Sequence, residues 1–226
     1  MKKGIRITSL IIPFLLLFFH FPLLAQDNAK LIEHIMYKEF DKAKELINNG
    51  ADVNYQDESS GSTALMLACQ YNFVDMAKFL IDHGADLNLQ AKNGETALMA
   101  SARTSEDMFN LLLSKGADFK IKASDGTTAL TQACIGILMQ KVPLTVVKKL
   151  IEMGADPDES ATSGPTKGYT CLMMAAGNNQ PDLAKLLISY HADVNKKADD
   201  GKSALSMAKE GNNDEMVKLL NSQGAK

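Results

Sequence analysis

Histidine, cysteine and carboxylate side chains are the groups in this chain that could do chemistry, and their spacing argues against most of it. After the apolar N-terminal stretch the histidines are His34, His83 and His191. They fall in three different units of the repeat set out below, and one metal ion needs its ligands to converge within a few ångström. No nucleophile-elbow serine, P-loop or HExxH phrase is present. The thiols are Cys69, Cys134 and Cys171, an odd number that leaves at least one unpaired. Cys69 and Cys134 hold the same position two units apart, beyond the short Cα separation a disulfide allows. All three are therefore expected as small core residues, not redox or metal groups. Aspartates recurring in Gly-Ala-Asp phrases resemble a carboxylate array, but return at one fixed place, as turn-capping residues do. No catalytic residue, metal or cofactor is expected.

What positions these residues is a period. Gly50-Ala51-Asp52-Val53-Asn54 returns as Gly84-Ala85-Asp86-Leu87-Asn88, Gly116-Ala117-Asp118-Phe119, Gly154-Ala155-Asp156, His191-Ala192-Asp193-Val194-Asn195 and Gly224-Ala225. A second phrase alternates with it: Gly61-Ser62-Thr63-Ala64-Leu65-Met66, Gly94-Glu95-Thr96-Ala97-Leu98-Met99, Gly126-Thr127-Thr128-Ala129-Leu130, Gly168-Tyr169-Thr170-Cys171-Leu172-Met173 and Gly201-Lys202-Ser203-Ala204-Leu205. Thr63, Thr96, Thr128, Thr170 and Ser203 are separated by 33, 32, 42 and 33 residues. Each Thr or Ser is placed to cap a helix, its hydroxyl accepting an orphan backbone N–H. Apolar residues at helical spacing follow, and Val74, Ala77, Leu80 and Ile81 mark a second helix with one buried face. Gly84, Gly116 and Gly154 are expected to end the second helices in left-handed geometry. Asn72, Asn179 and Asn212 fall between paired helices, where asparagine tolerates that same geometry.

These phrases, with their period, resemble the ankyrin-repeat family over roughly residues 28–226. The resemblance implies an all-α ankyrin-repeat α-solenoid, helix-turn-helix repeats joined by β-hairpin finger loops. About six repeats are expected, near 28–57, 58–90, 91–122, 123–157, 165–197 and 198–226, forming one domain over 26–226. The family's Pro and His after the capping Thr are missing, which removes a brace between repeats and predicts a somewhat looser stack. Polar residues at the end helices suit terminal repeats, which lack a neighbour on one side. Lys42 and Glu45 stand where the second repeat has Met76 and Phe79, and Asn221 stands where Ile81 and Ile188 stand internally. Few if any repeats are expected to be missing.

Repeat four breaks the pattern. Thr128 to Gly154 is 26 residues against 21 from Thr63 to Gly84, and Gly154 to Thr170 is 16 against 12 from Gly84 to Thr96. The first surplus, Ile135 to Pro143, predicts a longer first helix and inter-helix loop, with Pro143 near the start of the second helix. The second is a loop at 159–167, either a tolerated surface insertion or part of a binding face.

Residues 1–25 carry an export pattern. Lys2, Lys3 and Arg6 precede an apolar run from Ile7 to Leu24, and Ala25 suits a cleavage site. Cleavage after Ala25 and a periplasmic or secreted location are expected, most naturally in a bacterium. Removing this segment takes the formal net charge from −3 to −6 and leaves Arg103 as the single arginine. Nucleic acid is a poor partner for such a chain, and nothing after residue 26 is long and apolar enough to span a bilayer.

The resemblance then implies a non-catalytic module that binds a partner protein on its concave face of finger tips and first helices, acting as a monomer. The positions expected to touch the partner are Tyr55, Gln70, Tyr71, Lys92, Arg103, Lys167, Tyr169 and Asn178. Tyrosine and arginine dominate binding hot spots, which favours Tyr71, Arg103 and Tyr169. Acidic early tips (Asp57, Glu58) and lysine-bearing later tips could orient that partner. Methionines 66, 99, 173, 174 and 207 are expected in the core, with an adaptable contact surface as the sharper alternative. Two further alternatives stay open: an immunity-type inhibitor of a neighbouring enzyme, and a membrane-tethered scaffold if the N-terminal segment is retained.

Overall fold

Short helices in this chain survive only by stacking. Three of the first helices have seven residues each, well below the length at which an isolated helix is stable in water. The computed structural model describes residues 26–164 and 166–226, so the expected export segment lies outside the described residues. Twelve helices form six pairs among them: α1 (26–36) with α2 (Phe40–Asn48), α3 (Ala64–Gln70) with α4 (Val74–Asp82), and α5 (Ala97–Thr104) with α6 (Glu106–Ser114). The rest are α7 (Ala129–Leu138) with α8 (Leu144–Glu152), α9 (Cys171–Gly177) with α10 (Pro181–Ser189), and α11 (Ala204–Glu210) with α12 (Asp214–Ser222). First helices stack on first helices, and each packs against its own second helix. One continuous apolar core runs from Leu31 to Leu220. No helix of the described residues is long and apolar enough to cross a membrane.

The helix ends are set by local chemistry. Thr63, Thr96, Thr128, Thr170 and Ser203 are extended and each accepts the N–H three residues on. In α7 and α11 the bond is reciprocated, since Thr131 Oγ1 and Ser206 Oγ accept from the N–H groups of Thr128 and Ser203. The inter-helix turns use left-handed Asn72, Asn179 and Asn212, with φ of 58°, 50° and 53°. Lys38 and Gln140 play the same part in repeats one and four. Repeat three instead turns through extended Ser105, which caps α6. The glycines at 84, 116 and 154 end their helices at positive φ.

The fingers between pairs are turns with isolated β-bridges, not strands, among the described residues. They run over 52–62, 86–95, 118–127, 156–169 and 193–202 and are called fingers one to five. Asp52, Asp86, Asp118, Asp156 and Asp193 each accept the N–H two residues on, so the repeated aspartates are turn caps. Side chains also bridge neighbouring fingers. Asn54 accepts from Asp86 N and Asn88 from Asp118 N, while Gln56 and Gln90 donate to the carbonyls of Gln90 and Lys122. These bonds tie the first three fingers to one another.

Repeat four is lengthened as expected, with ten residues in α7 and Pro143 capping α8. The 159–167 loop folds onto the previous finger: Thr162 N donates to Asp125 O at 2.6 Å, and Ala161 is buried.

The cysteines depart from expectation. Cys69 is a buried free thiol, but Cys134 and Cys171 form a disulfide, with Cα atoms 5.9 Å apart. Equivalent positions two repeats apart are indeed too distant. Cys134 and Cys171, however, hold different positions in adjacent repeats, six residues and one residue after their capping threonines. Stacked first helices bring those two positions together.

Candidate functional site

Two hollows lie side by side where fingers meet first helices. The first, about 280 Å³, is lined by Ser60, Ser62, Met66, Gln70, Lys92, Asn93 and Glu95 among others. The second, about 320 Å³, is lined by Asn93, Glu95, Arg103, Ser124, Asp125 and Gln132 among others. Asn93 and Glu95 belong to both, so the hollows form one groove spanning repeats two to four.

Arg103 sits at the end of α5 because residues 97, 98, 100 and 102 of that helix face the core. Its Nη1 donates to Gln132 Oε1 of α7 at 2.9 Å, and its Nη2 lies 3.1 Å from Glu95 Oε1. That last contact gives charge without hydrogen-bond geometry. Glu95 Oε1 is thus a buried oxygen held by the charge of Arg103 and by no well-aligned hydrogen bond. The guanidinium is three-quarters covered and held from two sides, so little side-chain freedom remains to be lost on contact. Lys92 is held too, its Nζ donating to Glu58 O of finger one at 2.5 Å.

The other expected contact residues lie elsewhere. Tyr71 is exposed at the far end of α3 from the finger and stacks on Phe73, ring centroids 5.7 Å apart. Phe73 meets Phe40 edge-on at 5.0 Å, beside a separate cleft lined by Asn72, Lys44 and Asp75. Tyr55 is half-buried against the core. Lys167 pairs with Asp199 at 2.8 Å, and the Tyr169 hydroxyl donates to Asp200 at 2.8 Å. That bond holds the phenol above its ordinary pKa and the Asp200 carboxyl below its own. Asn178 bonds back to Met174 O within its own turn.

Charge at the finger tips is largely spent within the protein. Lys122 meets Glu159 and Lys202 meets Glu210, at 3.4 and 2.7 Å. Asp57 accepts from the hydroxyls and N–H groups of Ser59 and Ser60, which hold its carboxyl down to about 2. Of the methionines, 66, 99 and 173 are buried, and 174 and 207 are half-buried against the core. Gln132 is not among the positions expected from the sequence, and Glu95 is expected only as one of the finger-tip residues. Glu95 follows a turn glycine and reads as a finger residue, while Gln132 lies within an apolar helix and reads as core.

Among the described residues no cluster of histidine, cysteine and carboxylate groups could hold a metal ion. The family description "Ankyrin repeats (3 copies)" matches residues 31–123 and 137–226, most of the chain. This chain belongs to the ankyrin-repeat family, whose members are in general non-catalytic protein-binding modules. Among curated proteins it is similar to two BTB/POZ domain and ankyrin repeat-containing proteins of Oryza sativa subsp. japonica, NH5.1 and NH5.2. Each is 42% identical over 62 residues, which is 27% of this chain and 12% of the relative. The likeness therefore covers repeats alone and spans a small part of either rice protein.

Proposed function

We propose that this protein is an exported binding module that grips a partner protein in the groove of repeats two to four. The observation that carries it is Arg103, held in the groove by Gln132 and Glu95 with its guanidinium facing the second hollow. A partner that brings a carboxylate or carbonyl to the groove would meet the Arg103 N–H groups that Gln132 and Glu95 leave free. Gln70 and Lys92 flank them along the groove. The test is crosslinking and capture from native cell-envelope material with wild-type chain and a Gln70→Ala/Lys92→Ala/Arg103→Ala variant. Loss of one partner from the variant is expected; equal recovery of that partner overturns the choice of groove.

Export is supported by the Lys2-Lys3-Arg6 start and apolar run to Leu24, and by a buried disulfide, which suits an oxidising compartment. Mass spectrometry of the native protein tests it. A chain beginning at Gln26 is the expected result, and one retaining Met1 favours a tethered scaffold.

A further inference from the structure

At one joint both periodic braces between fingers are missing together. Fingers one and two, and two and three, are tied by Asn and Gln side chains. Between fingers three and four those positions hold Lys120 and Lys122, and neither tie forms, whereas Asp158 of finger four still accepts from Asp193 N of finger five. At the same joint α7 and α9 pack on one another less extensively than any other neighbouring first helices from α3 to α11. What holds the joint is one backbone bond of the kind also found at the two earlier joints, Thr162 N to Asp125 O, together with three links that do not repeat: the Lys122–Glu159 ion pair, the Tyr190–Glu152 hydrogen bond and the Cys134–Cys171 disulfide.

We infer that this disulfide is a covalent clasp on the weakest joint, so that the last two repeats (α9–α12) dock firmly on the first four only when it is closed. Closure joins two thiols in one S–S bond. The two electrons and two protons pass to a small-molecule or protein disulfide, which leaves as two thiols. Both cysteines are fully buried, so a dithiol reaches them only when the joint has opened. Once closed, the clasp stays closed under native conditions. Cys69 shows why pairing occurs here alone: it holds the position of Cys134 two joints earlier, but Ala97 stands opposite where Cys171 would be.

The inference goes beyond partner binding and is tested without a partner, so the two can fail separately. Other repeats supply the control residues, because alanine fills the Cys134 position at Ala102 and Ala176 and the Cys171 position at Ala64, Ala97, Ala129 and Ala204. The Cys134→Ala/Cys171→Ala variant therefore keeps residues the repeat already accommodates. Hydrogen exchange is followed by mass spectrometry on the purified full chain, on this variant, and on wild type refolded in dithiothreitol. Expected is at least tenfold faster exchange in α9–α12 of the variant and of the reduced chain, with α3–α6 unchanged. Alkylation of the denatured, unreduced chain should modify one thiol. Modification of three thiols, unchanged exchange in α9–α12, or equal loss of protection in every repeat overturns the proposal.

Discussion

Replacing Gly94 and Gly84 by alanine, in separate variants, tests whether fingers are set by close backbone approach as well as by turn geometry. Both residues have positive φ, +80° and +88°. A Cβ at Gly84 meets nothing within 4 Å, so only the left-handed penalty applies, about 1–2 kcal/mol. A Cβ at Gly94 would lie 2.8 Å from both Ala123 Cα and Ala123 C, and closer still to Ser124 N. Those are backbone atoms of finger three, and Ser124 N donates to Asn93 O across the gap at 2.9 Å. The fingers must part, which adds about 1–3 kcal/mol of overlap cost and weakens that bond. Gly94→Ala should therefore lose about 2–5 kcal/mol, the sum of those penalties. Urea unfolding followed by far-UV circular dichroism reads the difference. At a slope of about 2–3 kcal/mol per molar, the Gly94→Ala midpoint should fall roughly 0.3–1.5 M below that of Gly84→Ala. Equal midpoints would refute close approach as a determinant of the finger stack. Because Asn93 and Glu95 flank Gly94 in the groove, the same variant should also bind the captured partner more weakly than Gly84→Ala does.

Three further outcomes are expected. Thr96→Val leaves the buried Met99 N–H without its cap and should cost about 1–2 kcal/mol, measured by thermal denaturation; an unchanged transition would contradict the capping role. Asn72→Val places a β-branched residue at φ 58° and should cost about 1–2 kcal/mol, whereas Asn72→Gly should cost little in the same assay. Asp57 has its folded pKa held down to about 2. Its stabilising bonds are complete above the ordinary value of 3.8 and lost as pH falls through about 2. Carboxyl NMR titration should place the midpoint near 2, and a Ser59→Ala/Ser60→Ala variant should return it towards 3.8; an ordinary midpoint in wild type would disprove the serine cradle.

The parts of the fold legible in the sequence are those decided within a few residues. Thr63 caps α3 and Asn72 turns left-handed because their own neighbours demand it, and the lengthened α7 follows from counting residues to Pro143. What stayed hidden depends on which residues of adjacent repeats face one another. The sequence comparison paired Cys69 with Cys134 as equivalent positions, whereas the bond joins non-equivalent positions on consecutive helices. The signal was present, in that Cys171 replaces the alanine found at 64, 97, 129 and 204. For the same reason Lys167 and Tyr169 looked available for a partner. Only the stacked arrangement shows Asp199 and Asp200 of the next finger taking them. Glu95 gained its interest from burial of a single oxygen, a property no residue type announces.

The groove and the clasp occupy different parts of the solenoid. Gln70, Lys92, Glu95, Arg103 and Gln132 all lie in repeats two to four, ahead of the joint that the disulfide closes. Fingers one to three there carry the complete set of Asn and Gln braces, so the groove is held by bonds that repeat from finger to finger. Beyond the joint, the tips of fingers four and five are tied to each other through Lys167–Asp199, Tyr169–Asp200 and Lys196 donating to Asp158 O. A side chain already paired must break that pair before it can serve a partner. Arg103 also has two protein contacts, but its guanidinium carries more N–H donors than those two contacts use. Specific contact is therefore cheapest at repeats two to four. In repeats five and six, contact through those tip residues would first have to break the pairs they make with each other.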